Sequence, residues 1–415
     1  MYHLFNVNYI ISHHMNRDNI LILNKIAKDR EALGYDVLNG SIGMMYFDDG
    51  HLPKNEIIRK TLASHINDDD LTYSSISGEK DYRELLFKWF FNEDFNEEHV
   101  KTMGTQGGTG AIFTSIAEEN VRNKNNILLF PDIGWPNYYG IASSYDIPYI
   151  QYQMFDENLK FNTKGIIDLI DKLIKEKKHV SFIINDPCHN PTGYSMNQDE
   201  WDMLSEYLTT KVDINEITLI IDCAYLDFAL KETKEYAIKS IKRISTNIPV
   251  FLCLSCSKTF SFYGLRCGEL VTICKDKEML EDIRDKSIKI ARGAWSTPNH
   301  MAINTIIDVL SNKEGRQELI DEIEECKEVI KNRSDILLKE AKENGLIHFP
   351  YAKGFFITFI IKNAYQVSEE LMKQDIYLSP LSESHLRVAL CSIPTKKLYG
   401  LASKIKYAVD IVNNH

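Results

Sequence analysis

The sequence lacks any apolar run that approaches the roughly 18 consecutive residues of a membrane-spanning helix. Its N-terminus also lacks the basic start, apolar block and small-residue cleavage site of a signal peptide. We therefore expect no membrane partner and a cytoplasmic location.

Basic residues are fewer than acidic residues. The chain has 48 lysines and arginines against 59 aspartates and glutamates, a net charge of −11. Binding nucleic-acid phosphates requires a basic face, so this balance disfavours nucleic acid as the main partner. An acidic protein can still hold an anion in a local pocket lined with arginine.

The eight cysteines lack zinc-site spacing, and no metal site is predicted. Most lie in apolar stretches, as buried structural thiols do. Cys253 and Cys256 form one C-x-x-C, which we interpret as structural, with a metal or redox role as the alternative. This cysteine usage fits the reducing cytoplasm.

What the chain does have is length and apolar content: 415 residues, 44% of them hydrophobic. Short apolar runs alternate with amphipathic stretches, which predicts strands at 126–130, 180–185, 218–222, 250–255 and 269–274, and helices at 166–177 and 199–208. This alternation predicts an α/β fold with a large, mostly parallel sheet of the seven-stranded type flanked by helices.

The C-terminal part has a different pattern. A long charged helix at 315–341, strands at 355–361 and 385–390 and a closing helix at 396–412 predict a smaller α+β domain. The first 45 or so residues show no sheet pattern and are expected to pack on that domain. The predicted borders are 49–310 for the large domain, and 1–48 with 311–415 for the small one.

Several polar residues follow predicted strands, where open α/β sheets bind ligands. The glycine-rich segment 107–110, with Thr109, precedes a helix start that favours an anion; a plain glycine turn is the alternative. Trp135 can stack on a planar ring or anchor its loop. Asn190 can donate into the crevice or belong to an ordinary turn.

Two further predicted strands end beside chemistry-bearing residues. Asp222 ends one, where a buried carboxylate needs a cation, either a protonated ring nitrogen or a structural arginine. Tyr225 reaches the same ligand only if the strand ends near Asp222. Lys258 follows another strand, and its neutral amine can attack an aldehyde. Arg266 can hold a phosphate through its fork of donors.

In their order along residues 38–392, these segments resemble the fold-type I pyridoxal-phosphate aminotransferases. The resemblance is closest to the class I branch that includes aspartate and aromatic aminotransferases. Each segment alone is common, whereas their joint occurrence is specific.

The resemblance implies pyridoxal 5′-phosphate as the cofactor. Lys258 would bond to its aldehyde and then transfer protons, with Asp222 on the ring nitrogen and Tyr225 on the phenolic oxygen. The implied cofactor-binding residues are Gly108, Thr109, Trp135, Asn190, Asp222, Tyr225, Ser255, Lys258, Arg266 and, from the neighbouring subunit of a homodimer, Tyr73.

The resemblance also implies a substrate site. Arg387 would clamp the substrate α-carboxylate, and Arg292 of the other subunit would bind a distal carboxylate; a solvated surface arginine is the alternative for Arg292. The remaining residues implied to line the site are Ile42, Gly43, Trp135 and Asn190.

Three positions depart from the family pattern. Tyr138 and Asn185 each replace a histidine where contacts to Asp222 are expected, so the tuning of the ring nitrogen can differ. The segment Thr297-Pro298-Asn299 replaces Asn-Pro-Pro in the loop that follows Arg292, which bears on substrate choice.

The implied activity is ping-pong transfer of an amino group between an amino acid and a 2-keto acid. Two arginines for two carboxylates predict aspartate or glutamate with 2-oxoglutarate or oxaloacetate. Aromatic amino acids are the alternative substrates. A lyase or racemase using the same residues stays open, and a non-enzymatic regulator on this fold is the weakest alternative.

Overall fold

The computed structural model describes residues 19–91 and 95–414. Residues 1–18, part of the predicted small domain and the place where no signal peptide is expected, lie outside the described residues. Within the described residues no helix combines the length and apolarity needed to cross a membrane.

The chain divides into two compact units. The large unit is Pro53–Lys327 with Pro350–Gly354, and the small unit comprises the described residues of Met1–Leu52, Glu328–Phe349 and Phe355–His415. The domain borders expected from the sequence stay a prediction.

The secondary structure is as follows, in chain order. The strands are β1 Leu38–Gly40, β2 Val100–Gln106, β3 Asn126–Pro131, β4 Tyr149–Tyr152, β5 His179–Asn185, β6 Ile217–Asp222, β7 Val250–Ser255, β8 Cys267–Ile273, β9 Phe356–Ile360, β10 Ile376–Ser382 and β11 His385–Ala389. The helices are α1 Asn19–Ala32, α2 Glu56–Ser64, α3 Lys80–Phe91, α4 Gly107–Arg122, α5 Asn137–Ser144, α6 Thr163–Lys175, α7 Gln198–Thr210, α8 Lys231–Ile244, α9 Cys256–Thr259, α10 Lys277–Ala294, α11 His300–Ser311, α12 Lys313–Glu343, α13 Ala364–Met372, α14 Thr395–Leu398 and α15 Leu401–Asn413.

The large unit contains a seven-stranded sheet in the order β2-β8-β7-β6-β5-β3-β4. The pairings β3–β4, β3–β5, β5–β6 and β6–β7 are parallel, while β8 is antiparallel to both β7 and β2. The prediction of a mostly parallel seven-stranded α/β sheet with flanking helices is confirmed. Because β8 runs backwards, the residues that precede it lie at the same sheet edge as the carboxyl end of β7.

The central strands form where the sequence is continuously apolar. Every residue of β6 and β7 is buried, as expected for a sheet covered on both faces. On one face, Ile112 and Ile116 of α4 pack with Phe251 of β7 and Leu270 of β8. On the other, Tyr82 of α3 donates from its hydroxyl to the Gly268 carbonyl at 2.8 Å. This packing fixes the start of α4 beside the ends of β7 and β8.

The small unit contains a four-stranded sheet in the order β1-β10-β11-β9. Its first strand, β1, lies in the region where no sheet pattern is visible; three residues are too few to show an alternation. The single closing helix expected at 396–412 is instead α14 and α15, separated at Gly400, whose φ is +79°.

Candidate active site

The start of α4 is a ready anion site. Gly107 opens the helix directly after β2 with a φ of +68°, which favours glycine. The first backbone N–H groups of a helix have no acceptor within the helix, and the helix dipole is positive there. The predicted residues Gly108 and Thr109 therefore lie where an anion is stabilised.

Arg266 reaches this helix start. Its Nη2 donates to Thr109 Oγ1 at 3.4 Å, and its Nη1 donates to Ser257 Oγ at 3.3 Å. A Cβ on Gly107 would lie 2.6 Å from Arg266 Nη2, so the glycine is what permits the approach. Ser257 was not among the predicted residues, because nothing in the sequence shows that it faces the arginine.

Ser255 completes the group. A Cβ added to Gly108 would lie 3.0 Å from the Cβ of Ser255 and 3.4 Å from its hydroxyl. The structure thus brings together Gly108, Thr109, Ser255 and Arg266, four of the residues implied to bind the cofactor.

Lys258 lies in α9, the short helical turn that follows β7. Its Nζ is 4.8 Å from the centroid of the Tyr263 ring and 5.5 Å from that of Tyr225. Burial raises the pKa of the Asp222 carboxyl and the charge of Lys258 opposes that rise, which places the amine within electrostatic range of that group. Lys258, Asp222 and Tyr225, the expected catalytic residues, therefore lie together. Tyr263 was not predicted.

Asp222 is the last residue of β6, and so meets the condition for sharing a ligand with Tyr225. Its carboxyl accepts a hydrogen bond from the Tyr138 hydroxyl at 2.7 Å and one from the Ala224 N–H at 3.1 Å. Burial raises the pKa of Asp222 above its ordinary value, while these donors and the charge of Lys258 oppose the rise.

Tyr138 and Asn185, the two residues near Asp222 that depart from the family pattern, contact different atoms of Asp222. Tyr138 bonds the carboxyl itself, whereas Asn185 donates from Nδ2 to the backbone carbonyl of Asp222 at 2.8 Å. Asn185 Oδ1 also accepts from the Asn190 N–H at 2.7 Å, which ties Asn190 to the end of β6. Trp135 packs edge-on against Tyr138, with ring centroids 5.5 Å apart.

The small unit groups the other expected substrate residues. Arg387 of β11 is 3% exposed and donates from Nη2 to the Ser41 carbonyl at 2.6 Å. Its guanidinium carbon lies 4.5 Å from the centroid of the Phe356 ring. A Cβ on Gly43 would lie 2.5 Å from Phe356 Cζ, so Gly43 packs closely on the same ring. Ile42 lies between Ser41 and Gly43 in this segment.

Within residues 19–91 and 95–414, no hydrogen bond or ion pair joins Tyr73 or Arg292 to the residues around Lys258 and Arg266. Tyr73 is 88% exposed. Arg292 is exposed in the last turn of α10 and donates to the Ser296 hydroxyl.

The segment Thr297-Pro298-Asn299, which also departs from the family pattern, anchors the loop after Arg292. Asn299 caps α11 by accepting from the Ala302 N–H at 3.1 Å, and its Nδ2 donates to the Leu265 carbonyl at 3.0 Å. The Pro298 carbonyl accepts from the Ser74 hydroxyl at 2.9 Å. The loop is therefore held between the neighbours of Arg266 and Tyr73.

Comparison with known proteins identifies the family of the chain. Residues 35–405 match the family described as aminotransferase class I and II. The aromatic-amino-acid aminotransferase of Escherichia coli (strain K12) is 26% identical over 356 residues, or 81% of this chain and 85% of that protein. The cytoplasmic aspartate aminotransferase of Gallus gallus is 24% identical over 393 residues, 90% of this chain and 91% of its own.

Among solved structures, an aminotransferase from Anaerococcus prevotii matches with a TM-score of 0.88 and 29% identity, over 94% of this chain and 96% of that one. Because the family match spans most of the sequence, the chain belongs to the class I and II aminotransferases, as a class I enzyme of the fold-type I pyridoxal-phosphate group.

Proposed function

We propose that this enzyme transfers an amino group between aspartate or glutamate and 2-oxoglutarate or oxaloacetate, with pyridoxal 5′-phosphate as cofactor. The observation that carries the proposal is the grouping of Lys258, Asp222 and Arg266 at one edge of the large sheet. The substrate class rests on Arg292 and Arg387, one guanidinium for each carboxylate.

The residues present fit the cofactor. The start of α4 and Arg266 suit a phosphate, and any Cβ on Gly107 would intrude on the guanidinium. A protonated ring nitrogen would supply the cation that a buried Asp222 calls for. Bound pyridoxal phosphate would supply an aldehyde for covalent attachment and a ring that withdraws electrons from the substrate.

The chain's own residues would handle the proton. Lys258 lies on a short turn fixed by β7, and its flexible stem lets the amine move between anchoring and proton transfer. We place it as the base that removes the proton from the substrate Cα, and as the acid that later returns a proton. Tyr225 and Asn190 would bond the phenolic oxygen, and Trp135 would cover the ring.

The carboxylate clamps differ in their surroundings. Arg387 is fixed by Ser41 and Phe356, so its fork is oriented before the substrate arrives. Arg292 extends into solvent from the end of α10, where it can enter the site of a second subunit.

A homodimer with shared active sites is part of the proposal. The segment leading to Tyr73 exposes large apolar side chains: Ile66 is 70% exposed and Leu71 66%, beside Tyr73 at 88%. A partner subunit would cover this surface. A cytoplasmic location is also proposed, since all eight cysteines are free and buried.

Aromatic amino acids are the second candidate substrates. The Escherichia coli relative is named for them. The exposed position of Arg292 at a helix end would let its side chain swing aside for a ring.

Half-reaction titrations test the substrate class. Purified enzyme loaded with pyridoxal phosphate is mixed with aspartate, glutamate, tyrosine or phenylalanine, and the absorption change is followed. In Arg292→Leu, loss of a charged bond predicts a roughly 100-fold lower kcat/KM for aspartate, with little change for phenylalanine.

Arg284→Leu is the matched control, because Arg284 lies on the same helix and pairs with Asp285 at the surface. Equal turnover of aspartate by wild type and Arg292→Leu would refute the dicarboxylate assignment. A wild type that reacts with aromatic donors alone would establish the second candidate.

A further inference from the structure

Two cysteines are next to proposed cofactor residues in the sequence. Cys256 lies between Ser255 and Ser257, and Cys267 directly follows Arg266. Strands β7 and β8 are antiparallel, with Ser255 opposite Gly268 as their last pair. Cys256 and Cys267 therefore stand opposite each other, one position beyond that pair.

The side chains of both cysteines contact the same hydroxyl group. The Tyr82 hydroxyl oxygen lies 3.3 Å from Cys267 Sγ and 3.9 Å from Cys256 Sγ. In the ladder pair next to them, Ser255 and Gly268, opposite Cα atoms lie about 4.5–5.5 Å apart, a spacing that a disulfide spans, and Cys256 follows directly as the first residue of α9.

The C-x-x-C of the sequence is not the relevant pair. Cys253 faces α4, where its Sγ lies 3.4 Å from the Ser115 hydroxyl. Cys256 faces Tyr82 of α3, on the other side of the sheet. The partner of Cys256 is thus a residue eleven positions later in the chain, which spacing alone does not reveal.

We propose that Cys256 and Cys267 are a modification site, a dithiol that a peroxide converts to a disulfide when the cofactor is absent. Cys267 as thiolate attacks a peroxide oxygen and becomes a sulfenic acid, releasing water after protonation. Cys256 then attacks that sulfur and expels the oxygen as a second water. The two sulfurs lose two electrons in all, which hydrogen peroxide accepts.

The surroundings distinguish the roles of the two thiols. The neighbouring Cys256 thiol and the charge of Arg266 lower the pKa of Cys267, against the opposing effect of burial. Burial raises the pKa of Cys256. Burial also raises the pKa of four other cysteines: Cys188, Cys223, Cys253 and Cys274.

Cofactor occupancy would control the reaction. Both thiols are fully buried, so a peroxide reaches them only when the segment 255–267 opens. A phosphate held by Ser255 and Arg266 would keep that segment closed; this step rests on the proposed function. Because the coupling is reciprocal, the disulfide form would bind pyridoxal phosphate less tightly, by roughly 10-fold.

The test is thiol mapping of full-length enzyme, with and without bound pyridoxal phosphate. After hydrogen peroxide treatment, free thiols are alkylated under denaturing conditions and the peptides are analysed by mass spectrometry. We expect a linked Cys256–Cys267 peptide that forms faster without the cofactor and disappears with dithiothreitol. Cys274→Ser, at the far end of β8, should retain the link, and Cys267→Ser should abolish it.

Two failures are distinguishable. The disulfide proposal is overturned if Cys256 and Cys267 are both fully alkylated in peroxide-treated wild-type protein that lacks the cofactor. This holds whatever the variants do, and even if pyridoxal phosphate binds normally. A link that forms in protein to which pyridoxal phosphate never binds would support the thiol pair and overturn the proposed function and the occupancy control.

Discussion

The carboxyl of Asp222 illustrates how single side chains set the chemistry of this site. Burial raises the pKa of this carboxyl and so favours its protonated form. The Tyr138 hydroxyl and the Ala224 N–H donate to it, and Lys258 adds positive charge nearby. Each of these contacts favours the ionised form, the one that would pair with a protonated ring nitrogen.

Removing one of these donors should shift the pH profile. In Tyr138→Phe the pKa of Asp222 rises, so activity is lost at a higher pH as the solution is acidified. Losing a bond to a charged group costs about 1.5–3 kcal/mol, or roughly 10- to 100-fold in kcat/KM near neutral pH. The measurement is kcat/KM against pH, with Tyr145→Phe, a 58% exposed tyrosine of the same region, as the control. An unmoved acid limb would contradict this role for Tyr138.

The sequence could predict residues of fixed type and order, but not their contacts. Lys258, Asp222 and Arg266 are recognisable because each follows an apolar run at a characteristic spacing. Tyr138 and Asn185 were expected near Asp222, yet which atom each would bond depends on side-chain geometry. The structure adds Ser257 and Tyr263, since neither stands out in the sequence from the chain's many other hydroxyl-bearing residues.

Among the elements, α4 begins with a close steric fit. Its first residue, Gly107, has a left-handed backbone and lies against Arg266. Both features disfavour a side chain, since a Cβ would be strained by the backbone and would displace the guanidinium of Arg266. The helix start and the arginine thus pack closely together at the proposed phosphate site.

Gly107→Ala should therefore weaken cofactor binding. Displacing Arg266 costs a charged bond, about 1.5 kcal/mol or more, which lowers pyridoxal-phosphate affinity by roughly 10-fold or more. The left-handed backbone adds about 1–2 kcal/mol of destabilisation. Absorption titration and thermal unfolding with and without cofactor measure the two effects.

Gly264→Ala controls for the substitution itself. Gly264 is two residues from Arg266, but a Cβ there would meet nothing within 4 Å. If the two variants bind the cofactor equally well, the close fit of Gly107 to Arg266 has no role in phosphate binding.

The strands also differed in how clearly the sequence predicted them. The central strands β5, β6 and β7 were evident because they are continuously apolar. The edge strands β2 and β4 were missed: β2 contains Lys101 and Gly104, and β4 has exposed positions. Such strands gain their definition from pairing with a neighbour, which a local pattern does not record.

For the whole molecule, the proposed homodimer carries the strongest consequence. If Arg292 acts in the site of the partner subunit, two defective variants can repair each other. Lys258→Ala lacks the amine and Arg292→Leu lacks the clamp. A mixed dimer contains one site with both defects and one site with neither.

Refolding or co-expressing these two variants together should therefore restore aspartate turnover at the intact site of each mixed dimer. A dimer in which both subunits carry Lys258→Ala is the control and should stay inactive. Steady-state rates, with dimer composition checked by differently tagged subunits, provide the measurement. No recovery in verified mixed dimers would show that Arg292 serves its own subunit.

The reversed direction of β8 has a consequence for how such a site can be changed. Since the chain turns back at the sheet edge, the proposed covalent anchor and the proposed phosphate-binding residues lie within twelve consecutive residues, from Ser255 to Arg266. An insertion between Lys258 and Arg266 would separate the two proposed functions. Exchanging the whole segment between related enzymes would instead transfer both of them together.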